Sequence, residues 1–574
     1  MKTLLMCLVW LSLLLNTYAQ EVKNSALVIN PDQATGGEII KTDKGHPAVL
    51  FPAAMPLDSK ITWSLPTPLQ TALWKIDIDF YQPNSPFATD QILQFENESG
   101  EKIGKIDLSA FSFFMKGTYT RSIGFYSNKP LKYIKLIKIR QRNLNTVAIT
   151  SIKIVPGLAS ELEKMLFSFQ ISGTDNQLKV PLPLPLGAYL INYNKSTSLK
   201  WMLNGGQTFE TPSTNEVRIF LDERQPALQV TANGAPLQEI QIAHFPVAAT
   251  PDMTDAGNAP LMVLCDLTKT ETQTLQLIGY KGTELPKVDI FPGGKSMAIV
   301  TSWDDGNPQD EQVAEYLVKY HMKGTFYMNH YSKMNSNLSV LENKGMEVGS
   351  HSWSHPFLHL SSPKRCLDET VEMRRYLEKI TGHPIISFAY PYGYRAAYNQ
   401  NGDYVLEAVK QAGYWSARIT VTGDNQIDAM NAPLVMSPNF HFNVGAAKTS
   451  QKYEELRQKP GSILYIWGHS YEIAGEGAKT LDDVLASVAN RPEAWYATLG
   501  ELMIWQFTKS HLKIAPTTAK KSSRTFELKL PWLNPYLRKV PVSLILPNGV
   551  NEVLWQGEKI AVVNNRVQLK WSEN

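Results

Sequence analysis

The chain is short of three things. It has 3 cysteines in 574 residues, Cys7, Cys265 and Cys366, too few for the disulfide framework that holds small secreted scaffolds together. It has no excess of charge of either sign: 56 Lys and Arg face 53 Asp and Glu, without a run of about five or six like charges, which excludes an electrostatic grip on nucleic acid or anionic lipid. A neutral partner fits that balance. Beyond the N-terminus it lacks any apolar segment approaching the ~20 residues that span a bilayer. What is there is ordinary for globular protein, with 43% hydrophobic and 19% charged residues. Disordered and collagen-like chains are thereby excluded. The length calls for roughly two to four domains, each able to bury its own core.

The first residues combine Lys2, an apolar run from Leu4 to Leu15 and the small or polar ending Thr17-Tyr18-Ala19, which is the pattern of a secretory signal peptide over residues 1–19, cleaved near Ala19. A membrane anchor is the alternative, but the apolar run is short for one. Cys7 lies inside the apolar run, where cleavage for lipidation would leave almost no signal. The expectation is a secreted or periplasmic protein with no transmembrane segment in the mature chain. In an oxidising compartment Cys265 and Cys366 are candidates for a bridge, provided they approach to disulfide distance.

Residues 20–156 alternate apolar and polar positions in short runs, such as Trp74 to Phe80 and Tyr133 to Ile139, separated by Gly, Pro and Asn. This is the signature of a β-sandwich. Residues 157–294 read as a second β-rich domain, with strands at Val217 to Leu221 and Leu261 to Leu264 and a Pro-rich stretch from Pro181 to Pro185. Residues 515–574 read as a small C-terminal β module with strands at Phe526 to Leu530, Val542 to Leu546 and Val567 to Trp571. Between them, over 295–514, apolar strands alternate with helical stretches, as in a parallel sheet of βα units. The strands are expected at Met297 to Trp303, Gly324 to Met328, Met346 to Gly349, Ile385 to Tyr390, Tyr414 to Ile419 and Ser462 to Trp467. One helix is fully punctuated: Ser362 as N-cap, Pro363 in the first turn, Met373, Tyr376, Leu377 and Ile380 on one face, then Gly382 and Pro384 as stops.

In such folds reactive groups collect at the C-terminal ends of strands, and here polar residues follow buried strands repeatedly. Asp304-Asp305-Gly306 follows the first. On an extended backbone two adjacent carboxylates point apart, one free to hold a cation and the other a water; the same three residues also make a plain turn. His351-Ser352-Trp353-Ser354-His355 places two imidazoles four positions apart, able to reach one ion, although surface histidines also fall at this spacing by chance. In Phe388-Ala389-Tyr390-Pro391-Tyr392-Gly393 a strand ends in a rigid turn that can aim a main-chain N–H at a developing oxyanion, or simply close an aromatic-lined strand. His469 ends the run Leu464 to Gly468, as a structural histidine or as a general acid.

Taken together and in this order, these segments resemble the polysaccharide deacetylase family, the NodB-homology domain of carbohydrate esterases. The resemblance covers roughly a third of the chain and is carried most specifically by Asp304-Asp305-Gly306 and His351-Ser352-Trp353-Ser354-His355. It implies a distorted (β/α) barrel and a divalent metal, commonly zinc, held by Asp305, His351 and His355. It further implies Asp304 as general base, His469 as acid, and Tyr392 as the residue whose backbone N–H helps bind the oxyanion. Two departures stand out. Ala389 occupies the place where many members carry an Arg that orients the catalytic Asp, with Arg418 on a neighbouring strand as the candidate replacement. The Asp and Trp that hold the acid histidine have no clear counterpart, Asp424 being the nearest.

The expectation is therefore a multidomain protein, an α/β distorted-barrel deacetylase domain flanked by β-sandwich-type domains. It would remove acetyl groups hydrolytically, from nitrogen or oxygen, from a polysaccharide or oligosaccharide. The competing expectation is a glycan-binding protein with a weak or inactive deacetylase-like domain, whose Trp63, Trp74, Trp201 and Trp532 serve as sugar platforms. A metal-dependent hydrolase of a non-carbohydrate acyl group is a third.

Overall fold

The computed structural model describes residues 27–52, 56–69, 72–83, 91–107, 117–127, 130–138, 147–156, the strand segments 177–179, 187–192, 198–203, 208–211, 216–221, 228–233 and 241–246, and 251–571 apart from 400, 431 and 521. The segment 1–19 read as a signal peptide, Cys7 within it, and the stretch from Pro181 to Pro185 lie outside these residues, as do the side chains of Trp74 and Trp201. The chain divides into two compact units, one built on residues 1–250 with the excursions 355–366 and 395–407, the other on the remainder.

The first unit is built of strands. Ala72–Gln82 shows why: Ile76, Ile78 and Phe80 are fully buried while Asp77 and Asp79 between them are partly exposed, the period of two that one covered face requires. This strand pairs antiparallel with Gly117–Ser127 and with Ala148–Pro156. Gln241–Pro246 adds to Gly117–Ser127, followed by Gly187–Asn192 and Glu216–Leu221. One 11-stranded sheet thus draws strands from both regions that the sequence separates at 156/157. A 5-stranded sheet contains Lys60–Leu69 and Leu131–Lys138, and a 4-stranded sheet contains Ser198–Leu203. Trp63 is 1% exposed and so belongs to the core, not to a sugar platform.

The second unit contains the expected parallel sheet. Its strands are β1 (Met297–Asp304), β2 (Thr325–Met328), β3 (Glu347–Ser350), β4 (Ser387–Ala389), β5 (Ser416–Arg418), β6 (Asn425–Gln426), β7 (Phe440–His441), β8 (Ser462–His469) and β9 (Ala494–Ala497). The order is β5-β4-β3-β2-β1-β8-β6, with β7 on β8 and β9 on β1; all pairs are parallel except β6 with β8. The sheet is a curled half-barrel, left open between β6 and β5 among the described residues. All eight positions of β1 are buried, as a parallel strand covered on both faces requires.

The helix Pro363–Thr381 starts and stops where its punctuation requires. The Ser362 hydroxyl accepts the Arg365 N–H at 3.1 Å, and Gly382, at φ +74°, ends the helix with its N–H on the Glu378 carbonyl. Met373 and Leu377 are buried, but Ile380 is 41% exposed. The covered face runs instead through Arg374 and Glu378, a buried pair at 2.8 Å whose guanidinium also donates to the carbonyls of Ala412 and Met262. Apolar periodicity missed this, because a satisfied ion pair sits inside like a hydrophobe.

The strand expected at Leu261 to Leu264 begins instead at Cys265 and runs to Ile278, and it pairs with Ser523–Leu533 from the C-terminal region. Leu275, Leu277, Leu528, Leu544, Val553 and Leu569 are all fully buried in one core. The segment before the parallel sheet and the segment after it therefore fold as one piece. Neither Cys265 nor Cys366 is in a disulfide, so the bridge considered from sequence is not formed, and the Cys366 thiol donates to the Leu358 carbonyl at 3.0 Å. Among the described residues no helix is long and apolar enough to cross a membrane.

Because Leu275 closes this shared core, Leu275→Ala is expected to lower the unfolding free energy by about 2–5 kcal/mol. Urea denaturation measures it; a loss below about 1 kcal/mol would contradict the shared core.

Candidate functional site

Strand register sets the frame. Asp304 at the end of β1 lies opposite His469 at the end of β8 and opposite Tyr327 on β2. Met328 lies opposite Ser350, Ser350 opposite Phe388, and Ala389 opposite Arg418. The polar breaks in the sequence therefore emerge along one edge of one sheet, the C-terminal edge where open α/β folds bind and react.

The two aspartates are not splayed as extended backbone would have them. Asp305 has φ +79° and Gly306 φ +62°, so the chain turns at once. Both carboxylates stay within reach of one imidazole: His351 Nε2 lies 3.8 Å from Asp304 Oδ2 and 3.7 Å from Asp305 Oδ1. Ser332 holds the turn by donating its hydroxyl to the Asp305 carbonyl at 2.8 Å. A Cβ on Gly306 would fall 2.3 Å from that same hydroxyl oxygen, so the position requires glycine for space as well as for its φ.

His351 is buried, and its Nδ1 lies 2.8 Å from the Ala389 carbonyl. A ring nitrogen facing a carbonyl must donate, which leaves Nε2 as a lone pair aimed at the carboxylates. Burial, opposed by the charge of Asp304, lowers the ring's pKa to about 4, so the ring is neutral near pH 7. The loop that continues to His355 is tied to the helix Pro363–Thr381. Glu369 accepts the Ser354 N–H at 2.7 Å and the Ser354 hydroxyl at 2.5 Å, and its carbonyl accepts the Trp353 N–H.

Asp305, His351 and His355 each offer one ligand atom, and these atoms lie within 4.8 Å of one another, all three residues buried. Two ligands on a tetrahedral ion with bonds of about 2.0 Å are separated by about 3.3 Å, close to the 3.7 Å between His351 Nε2 and Asp305 Oδ1. One carboxylate and two imidazoles, one of them with its lone pair directed by a backbone carbonyl, are a donor set suited to a divalent metal. The residues present fit a divalent metal.

Arg418, the candidate substitute for the missing motif arginine, is 1% exposed and donates from Nη2 to Asp304 Oδ2, with its guanidinium 4.4 Å above the Trp467 ring. It reaches Asp304 from the strand next to the one that carries Ala389. Burial alone would raise the Asp304 carboxyl; the Arg418 charge, aided by His351 and His469, holds it below the usual range. Its other oxygen, Oδ1, is buried with no hydrogen-bond partner among the described residues.

His469 Nε2 lies 4.0 Å from Asp305 Oδ2. Burial acts to lower its pKa, but the hydrogen bond and charge of Glu472 raise it above the ordinary histidine value. Asp424 is not its partner; that residue is 44% exposed and bound to Asn439 and Lys452. Glu472, missed in the sequence, meets His469 Nδ1 at 3.2 Å. Its signal was only its position, three residues on, within the reach of a single 3₁₀ turn. Tyr392, at φ +58°, occupies the turn after β4 that the Gly393 N–H closes on the Tyr390 carbonyl at 2.9 Å. Of the ten non-glycine residues with positive φ among the described ones, Asp305, Ser352, His355 and Tyr392 all belong to these loops. Backbone strain is thus concentrated where the candidate residues converge.

Residues 293–417 match the family model described as polysaccharide deacetylase. The chain is 34% identical over 114 residues to the peptidoglycan-N-acetylmuramic acid deacetylase PdaC of Bacillus subtilis, covering 19% of this chain and 24% of that protein. It is 26% identical over 144 residues to a peptidoglycan-N-acetylglucosamine deacetylase of Bacillus cereus, covering 24% and 61%. The chain thus spans less than two thirds of either relative. Among solved structures, it is similar to the Bacillus subtilis PdaC structure (20% identity, TM-score 0.27, 39% of this chain and 96% of that one). It is likewise similar to a family 4 carbohydrate esterase from Streptomyces lividans in complex with acetate (14% identity, TM-score 0.26, 34% and 88%).

Arg418→Met leaves the buried Asp304 charge without its partner and is expected to cost about 3–5 kcal/mol at pH 7. Adding Asp304→Asn should restore most of it. Because the Asp304 pKa is depressed in the folded state, the pair's contribution is present above the ordinary carboxylate range and lost as pH falls through the folded value. Urea titrations at pH 7 check this; a single variant as stable as the wild type would show that the pair does not hold the site.

Proposed function

Because the chain carries a polysaccharide deacetylase domain over residues 293–417, we propose that it hydrolyses acetyl groups from a polysaccharide or oligosaccharide, with Asp305, His351 and His355 holding a divalent metal, Zn2+ by the chemistry of the donor set. The observation that carries this reading is the convergence, on one sheet edge, of that donor set with the Arg418-bound Asp304 and with His469. The chemistry the ion supplies when bound is polarisation of the acetyl carbonyl and acidification of a water, from a pKa of about 16 toward 7.

The chain's own groups do the rest. Asp304 is kept ionised and oriented by Arg418 on Oδ2, which leaves Oδ1 to take the proton of the attacking water. Attack on the acetyl carbon builds negative charge on its oxygen, and the Tyr392 main-chain N–H, in the rigid turn Pro391 to Gly393, helps to carry it. His469 delivers a proton to the departing sugar nitrogen or oxygen from Nε2, the ring atom nearest Asp305. Acetate and a free amine or hydroxyl result.

The near balance of charge fits a neutral glycan. Both curated relatives are named for deacetylating N-acetylated peptidoglycan sugars, which makes an N-acetylated amino sugar the first substrate to try. The N-terminal segment is read as a signal peptide that takes the protein to such polymers outside the cytoplasm, and the strand-built first unit, residues 27–246, as β-sandwich in character.

The test is acetate release from N-acetylated chito-oligosaccharides, peptidoglycan fragments and O-acetylated xylan, with metal content measured alongside. Chelation should abolish release and Zn2+ restore it. Asp305→Ala should lose both metal and activity, while Asp304→Ala should keep the metal and lose about 10²–10⁴-fold in kcat. Metal-loaded, folded protein that releases acetate from none of these would overturn the reading in favour of glycan binding.

A further inference from the structure

The candidate acid is anchored by a group of residues that the mechanism above does not use. β8 ends at His469, and the single 3₁₀ turn Ser470–Ile473 brings Glu472 back over it. Glu472 Oε2 accepts the His469 backbone N–H at 3.0 Å and meets the ring at Nδ1, 3.2 Å away. From β7, which pairs in parallel with β8, His441 reaches the same oxygen from Nε2 at 2.8 Å.

The proton positions follow from the neighbours. The Asn443 N–H donates to His441 Nδ1 at 3.3 Å, so the ring proton of His441 sits on Nε2 and points at Glu472. Burial opposes the charge on Glu472, but the hydrogen bonds from His441 and His469 hold its carboxyl well below the ordinary range. An oxygen in that state only accepts, so His469 must donate from Nδ1, and Nε2 is the atom turned toward Asp305. Tyr471 stacks on the His469 ring at 5.0 Å, and Trp467 meets both imidazoles edge to face, at 5.5 Å from His469 and 4.8 Å from His441. The same Trp467 ring lies beneath Arg418, so one indole braces the support of both the base and the acid.

We propose that Glu472, braced by His441, is the positioning residue that fixes the orientation and tautomer of His469. This rests on the deacetylase reading of the site. The three side chains also satisfy the spacing of a metal cluster, but each of the ligand atoms named above already meets a hydrogen-bonding partner within the group, which favours positioning.

The test uses the full-length protein and two substrates. Triacetylchitotriose needs its leaving nitrogen protonated; 4-nitrophenyl acetate does not. Glu472→Ala is expected to lower kcat on the trisaccharide by about 10²-fold with KM little changed, and to spare 4-nitrophenyl acetate. His441→Ala should show a smaller loss of the same kind, and His441→Gln, which keeps an N–H donor, should recover it. Equal losses on both substrates, or none, would overturn the proposal. Two-bond 1H–15N spectra of 15N-histidine protein read the tautomer directly: the neutral His469 ring should carry its proton on Nδ1 in the wild type and lose that preference in Glu472→Ala. An unchanged tautomer would overturn the proposal whatever the kinetics. A second equivalent of Zn2+, bound by the wild type and not by His441→Ala, would overturn it too, as a metal site. If the wild type released acetate from neither substrate, the deacetylase reading would fail while the spectra still decided the positioning.

Discussion

The buried pair of Arg418 and Asp304 is the interaction on which the rest of the site depends. A carboxylate at the end of a fully buried strand costs several kcal/mol of solvation unless a charge of opposite sign is brought to it. Here that charge comes from β5, four strands away across the sheet, so it is in place only when β1 to β5 are in register. The pair thereby couples the fold to the chemistry. It keeps Asp304 ionised and occupies Oδ2, leaving Oδ1 buried with no hydrogen-bond partner among the described residues.

Around that pair the loops are held by backbone groups more than by side-chain contacts. The Ala389 carbonyl orients His351, the Asp305 carbonyl receives Ser332, and Glu369 gathers the amides of the segment that ends in His355. Positive φ at Asp305, Ser352, His355 and Tyr392 is tolerated because each turn is tied down in this way. For the proposed deacetylase, turns fixed in this way would pre-organise ligands and donors before substrate arrives, which is what electrostatic catalysis requires.

The parallel sheet was legible because strands buried on both faces leave long apolar runs, and because each run stops at a polar residue with evident chemistry. The six expected strands are present as β1 to β5 and β8, and Asp304, Asp305, His351, His355 and His469 converge at their ends. Less was legible where a side chain acts across distance. Arg418 is only a candidate on a neighbouring strand until β5 is laid beside β4, where it reaches Asp304; Glu472 had no signal but its spacing from His469, and His441 had none. Asp424 drew attention by position alone and proved to be a solvated loop residue. Ile380 fitted a helical stripe yet faces water, because the buried Arg374–Glu378 pair took the covered face. The pairing of Cys265–Ile278 with Ser523–Leu533 spans some 250 residues, beyond what periodicity encodes.

The central claim is that Asp305, His351 and His355 share one metal ion, and zinc K-edge absorption on protein loaded with a single equivalent tests it most directly. The account predicts two imidazole nitrogens at about 2.0–2.1 Å and oxygen ligands at about 2.0–2.2 Å, with one imidazole lost in His351→Ala. A spectrum with sulfur ligands, or one unchanged by His351→Ala, would contradict it.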